Sequence, residues 1–160
     1  MHFSLLVISK NNSVKNGSRE IRRLMRTFSE FCDKDGDYNP NGKWDWYVIG
    51  GRFHSTLKAK HGRRVHFDED GYKWYVSDES RRMSGFDWAP VSELTDVNPD
   101  EFYSVLLPDG TWHECETYVP AKEGEKHGHF DPNPEWERFE ELFIEPYRDG
   151  WTATVVDCHI

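Results

Sequence analysis

The residues best suited to chemistry lie in three stretches far apart in the sequence: His2 in HFSLLVIS, the run KWDWYVIGGRF from Lys43 to Phe53, and Asp157 and His159 in TVVDCHI. Imidazoles and a carboxylate are the groups of general acid–base catalysis, because histidine gives and takes protons near neutral pH. The same groups suit a divalent metal, and the choice between the two chemistries stays open. His113 and Glu114, in TWHE, are candidates to join them.

The central run implies a different kind of site. In an extended segment Trp44 and Trp46 share one face and can sandwich a planar ring, with Asp45 pointing the other way. Lys43 and Arg52 offer cations for phosphate or carboxylate, Arg52 as a bidentate fork. Gly50 and Gly51 interrupt strand-like sequence, as at a bulge or where backbone N–H groups approach a ligand. The expected ligand is nucleotide-like, an anion that carries a ring. The competing reading is a tryptophan-rich sheet core with charges at its surface.

Two other patterns fall short of a full signature. DKDGDYNPNGKWD alternates Asp33, Asp35, Asp37, Asn39 and Asn41. The EF-hand's sixth and twelfth positions, however, hold Tyr38 and Trp44 instead of Gly and Glu, so tight calcium binding at Asp33 to Asp37 is not expected. His2-Phe3-Ser4 and His54-Ser55-Thr56 form a pair of His-x-Ser/Thr tripeptides. Two-histidine phosphoesterases use such a pair, one imidazole as base and the other as acid. Tripeptides this short also arise by chance.

These residues need elements to position them. HFSLLVIS and WTATVVDCHI read as strands at the two ends of the chain. REIRRLMRTFSEFC sets Ile21, Leu24, Met25, Phe28 and Phe31 at helical spacing, with Ser18 as its N-cap. EWERFEELFIEPY (Glu135 to Tyr147) reads as a second amphipathic helix. WDWYVIGGRFHSTLKA reads as a long or bulged strand. RRVHFDEDGYKWYVS reads as a hairpin turning near Asp70-Gly71, and FYSVLLPDGTWHECETY as one turning at Pro108-Asp109-Gly110. The order predicts a single α+β domain, 1–160, with a mostly antiparallel sheet and two helices on one face, ferredoxin-like or a variant. The first and last strands are then neighbours. Strand alternation puts Asp157 and His159 on one face, and antiparallel pairing brings His2 to them.

Composition narrows the function classes. Aromatics make up 15% of 160 residues against 36% hydrophobic overall, so large rings carry much of the expected core. A net charge of −9 argues against direct binding to nucleic acid or to anionic membrane, while leaving room for a local basic pocket. No apolar run reaches the length of a membrane span, Met1 to Lys10 lacks the form of a signal peptide, and the three cysteines show no CxxC spacing. The expected setting is a reducing cytoplasm.

HFSLLVIS, NPNGKWDWYVIGGRF, LLPDGTWHE and TVVDCHI together resemble a group of uncharacterised phage and prophage proteins. Members of that group open with Met-Ser-His-Phe-Thr, carry Asn-Pro-x-x-Lys-Trp-Asp-Trp-Tyr-x-x-Gly-Gly-Arg-Trp, and end in Val-Asp-Cys-His-Ile. Phe53 replaces the group's last Trp here, and His54 follows it. The resemblance implies a phage-type accessory protein and no particular activity. Three classes are therefore expected of the residues: an enzyme acting on a nucleotide-like phosphoester, a protein that sequesters a signalling nucleotide against host defence, or an acidic inhibitor that binds a host defence protein.

Overall fold

The structure, a computed structural model, describes residues 1–10, 14–31, 36–67, 74–77 and 85–160. β1 (His2–Ser9) leads to α1 (Val14–Met25), which tightens into one 3-10 turn (Arg26–Phe28). There follow β2 (Trp46–Ile49), β3 (Leu57–Ala59), β4 (Arg64–Phe67), β5 (Trp74–Ser77), β6 (Gly85–Phe86) and β7 (Trp88–Pro90). After them come β8 (Leu94–Asp96), β9 (Ser104–Leu106), β10 (Trp112–Glu114), β11 (Glu116–Val119) and β12 (His129–Pro132). A helical segment then precedes β13 (Thr152–His159).

β1 and β13 are the centre of the main sheet, whose order is β10-β9-β1-β13-β2. They pair antiparallel along their whole length, from His2 opposite His159 to Ser9 opposite Thr152. The two end strands are therefore adjacent, as expected. β9 runs parallel to β1 on the other side. The outer edge of β13 is shared: β7 pairs with Thr152 to Thr154, and β2 with Val156 to His159. Strands buried on both faces carry continuous apolar runs, which is why Leu5-Leu6-Val7-Ile8 does not alternate.

Each face of the sheet has its own core. Leu5, Val7, Val156 and Cys158 pack with Ile21, Leu24 and Met25 of α1. Leu6, Ile8, Ala153 and Val155 pack with Phe139, Phe143 and Ile144. The two helical segments thus cover opposite faces, a correction to the expected placement on one face. A half-buried sheet would need only one helical layer; this one is apolar on both sides and needs two.

Several elements differ from their expected form. α1 starts at Val14, so Ser18 lies inside it and is not its N-cap. Phe31 falls beyond the helix and is exposed. The second helix is wound as a 3-10 turn (Pro134–Arg138), a π turn (Glu140–Ile144) and a further 3-10 turn (Glu145–Tyr147). Pro146 lacks the N–H that a regular ladder needs there, and its ring would meet the carbonyl four residues back. The central run is not one strand: β2 ends at Ile49, a 3-10 turn spans Gly51–Phe53, and β3 belongs to a separate three-stranded sheet. The two hairpins form, β9 with β10 and β4 with β5, the latter's turn lying outside the described residues.

Candidate functional site

Antiparallel register builds a row of three rings across the end of the sheet. His2 on β1 faces His159 on β13, and His159 faces Trp46 on β2. Directly opposed residues project from the same face. His159 stacks on Trp46 with ring centroids 5.1 Å apart and planes 12° apart. His2 meets both edge-on, at 4.9 Å from His159 and 5.2 Å from Trp46. The next row holds Ser4, Asp157 and Val48.

Each imidazole is held by a carboxylate at Nδ1. His2 Nδ1 lies 2.8 Å from Asp157 Oδ1, and His159 Nδ1 lies 2.9 Å from Asp45 Oδ1. Asp157 is buried, and its second oxygen accepts the Arg52 backbone N–H at 2.9 Å. Asp45 is partly exposed and accepts the Trp46 N–H at 2.7 Å. Desolvation works upward on the Asp45 carboxyl, but the bonds from His159 and Trp46 hold it below the usual carboxylate range. The chain's amino group stands 3.4 Å from His159 Nε2.

The glycine pair makes room for two carboxylates. Gly51 has φ +55°, and a Cβ there would stand 2.5 Å from Asp157 Oδ2. A Cβ on Gly50, at φ +72°, would stand 3.0 Å from Asp87 Oδ1. Asp87 is itself buried and accepts the Ser55 N–H at 2.6 Å. The Gly50 N–H is spent on the Val155 carbonyl, and the Arg52 N–H on Asp157. The expectation that Gly50 and Gly51 offer their N–H groups to a ligand is corrected at Gly50. The Arg52 side chain is exposed and has no partner among the described residues.

A cavity of about 380 Å³ opens beside His2, with Ser4, Phe53, Tyr103, Cys115 and Trp136 among its walls. Burial, with the neighbouring carboxylates of Glu114 and Glu116, pushes the Tyr103 phenol up to about 12, so it remains a proton donor across the physiological range. Burial and the Glu116 carboxylate also push the Cys115 thiol up, which disfavours the thiolate form. Ser4 Oγ donates to the Glu101 carbonyl at 2.6 Å and accepts the Tyr103 N–H at 3.2 Å, so its proton is not directed at His2. Thr56 Oγ1 likewise donates to the Phe53 carbonyl, and exposed His54 bonds Ser55. The hydroxyls of the two His-x-Ser/Thr tripeptides therefore do not converge as phosphate donors.

The expected ligand residues are divided among several places. Lys43, His113 and Glu114 line a different cavity, of about 500 Å³, where Lys43 pairs with Glu114 at 2.9 Å and His113 with Glu135 at 2.8 Å. Trp44 does not join Trp46. A bend at Asp45 breaks the alternation, and Trp44 packs on the α1 face with Nε1 donating to the Met25 carbonyl at 3.1 Å. Asp45, expected to point away from the rings, bonds His159. Among the described residues no group of three or more His, Cys, Asp or Glu is placed to hold a metal ion. The acidic loop at Asp33 and Asp35 lies outside the described residues. Tyr103, Trp136 and Glu135 line the cavities without carrying a motif of their own, and Phe53, inside the central run, lines one of them although it is not among the expected site residues.

No helix among the described residues is long and apolar enough to cross a membrane. No protein-family model matches the chain, and neither a curated protein nor a solved structure is significantly similar to it.

Proposed function

We propose that the end of the β1–β13 pair is the active site of a phage-type accessory enzyme that hydrolyses a small, ring-bearing phosphoester by histidine acid–base catalysis. The observation that supports this reading is the facing pair His2 and His159, each fixed through Nδ1 by its own carboxylate. An Nδ1–H given to Asp157 leaves His2 Nε2 as the acceptor, the arrangement that orients a general base. Water adds to phosphorus and gives its proton to His2; the ester P–O bond breaks, and the His159 imidazolium gives a proton to the leaving oxygen. The aromatic walls beside His2 suit a planar ring, and the cavity falls in the size range of small-molecule sites, roughly 300–1,000 Å³. Arg52, exposed and with its guanidinium unpaired among the described residues, is the cation this reading assigns to the phosphate.

The test is turnover of a panel of mononucleotides, cyclic nucleotides and dinucleotides, read by mass spectrometry of the products. His2→Gln and Asp157→Asn are expected to lower kcat/KM by about 100-fold or more while the protein still melts cooperatively. Binding without turnover would replace catalysis by sequestration. Absence of both binding and turnover across the panel overturns the reading.

A further inference from the structure

On the other face of the sheet stands a concentration of positive charge that the acid–base reading does not use. Arg19, Arg22 and Arg23 of α1, and Arg26 in the turn that continues it, recur at intervals of three and four residues. That spacing lines them along one side of the helix, over about 10 Å of its axis. With Trp44 and Tyr47 they wall a groove of about 490 Å³. In a chain of net charge −9, four guanidiniums within eight residues set a local field opposite in sign to that of the whole molecule.

The groove is built rather than merely charged. The Trp44 indole is fixed by its bond to the Met25 carbonyl and meets Tyr47 edge-on at 4.9 Å. Burial pushes the Tyr47 phenol up, and the nearby Arg22 guanidinium works against that rise. Glu20 takes Arg23 in a fork, at 3.0 Å from Nε and 2.7 Å from Nη2. Rings held in place lose little freedom when a ligand stacks on them.

We propose that this groove is a second site, which binds a nucleoside monophosphate or a similar phosphorylated aromatic metabolite. The phosphate lies on the arginine row and the base against Trp44 and Tyr47. Guanidinium forks match phosphate geometry, and aromatic faces accept any base. A long nucleic acid carries its charge beyond the groove and meets the repulsion of a chain of net charge −9, whereas a small anion meets only the local field. The site is independent of His2 and His159, which lie on the opposite face.

Calorimetry on the full chain at about 100 mM salt, where the screening length is about 10 Å, tests it with adenosine monophosphate, adenosine, inorganic phosphate and a 12-nucleotide single strand. Adenosine monophosphate is expected to bind at least about tenfold more tightly than adenosine or phosphate alone. The double variant Arg19→Ala/Arg22→Ala should weaken it by about tenfold or more, and His2→Gln should leave it unchanged. Should the double variant lose its fold, exposed Arg19→Glu alone carries the test, with the same direction expected. The proposal is overturned by absence of binding at millimolar nucleotide, by equal binding in the arginine variants, or by loss of binding in His2→Gln, which places the nucleotide in the histidine cavity. Tighter binding of the single strand than of the monophosphate also overturns it, in favour of a polymer partner.

Discussion

At the β1–β13 end of the sheet, four side chains from sequence positions 2, 45, 157 and 159 bond in pairs, and a fifth, Trp46, stacks on one of them. Between Lys43 and Arg52 the opposite occurs. Lys43 reaches one cavity, Trp44 another, Asp45 and Trp46 the histidines, and Arg52 turns its N–H beneath Asp157. Ten consecutive residues are spread over both faces of the sheet, while the two ends of the chain meet. Adjacency along an extended chain divides side chains between faces, whereas strand pairing gathers residues that sequence separates. A contiguous motif is thus poor evidence for a single site, and two distant strands with compatible alternation are better evidence.

Gly51 is where the two regions touch, and it should give the largest effect. Gly51→Ala places a Cβ 2.5 Å from Asp157 Oδ2 at φ +55°. Left-handed strain and overpacking together should cost about 2–5 kcal/mol in urea unfolding. An NMR titration of His2 unchanged by this substitution would break the link between the glycine turn and the His2–Asp157 pair.

The two tryptophans sharpen the contrast next. Trp44 is packed on the α1 core and hydrogen-bonded, whereas Trp46 is 45% exposed and stacks on His159. Trp44→Ala should cost about 2–4 kcal/mol of stability, and Trp46→Ala only about 1 kcal/mol. Equal losses in thermal melts would mean that the bend at Asp45 does not separate them.

The smallest effect is a pH dependence at Asp45. Its carboxyl is held below the usual range in the folded protein, so the ionised form is the one that favours folding. That contribution is present above the ordinary carboxylate value of about 4 and is lost as the pH falls through the lowered folded value. Asp45→Asn should flatten the acid limb of the stability–pH curve and leave its neutral region nearly unchanged. An unaltered acid limb would show that the His159–Asp45 pair adds nothing to folding.

Much of this arrangement was legible in residue order because it depends on local periodicity. Leu5 to Ile8 and Thr152 to Val156 read as strands, and alternation then fixes His2, Asp157 and His159 to a common side once the ends pair. The helical spacing of Ile21, Leu24 and Met25 was equally plain. What only tertiary structure decided is non-local. β2 and β7 divide the edge of β13, and their junction brings Gly50 against Asp87 and Gly51 against Asp157. The face each helix covers follows from which side of the finished sheet still has apolar surface to bury, a property of no single segment. For the same reason Trp44 left its neighbours for the arginines of α1: a one-residue bend reverses the face of every side chain that follows, and only packing determines where that bend is stable.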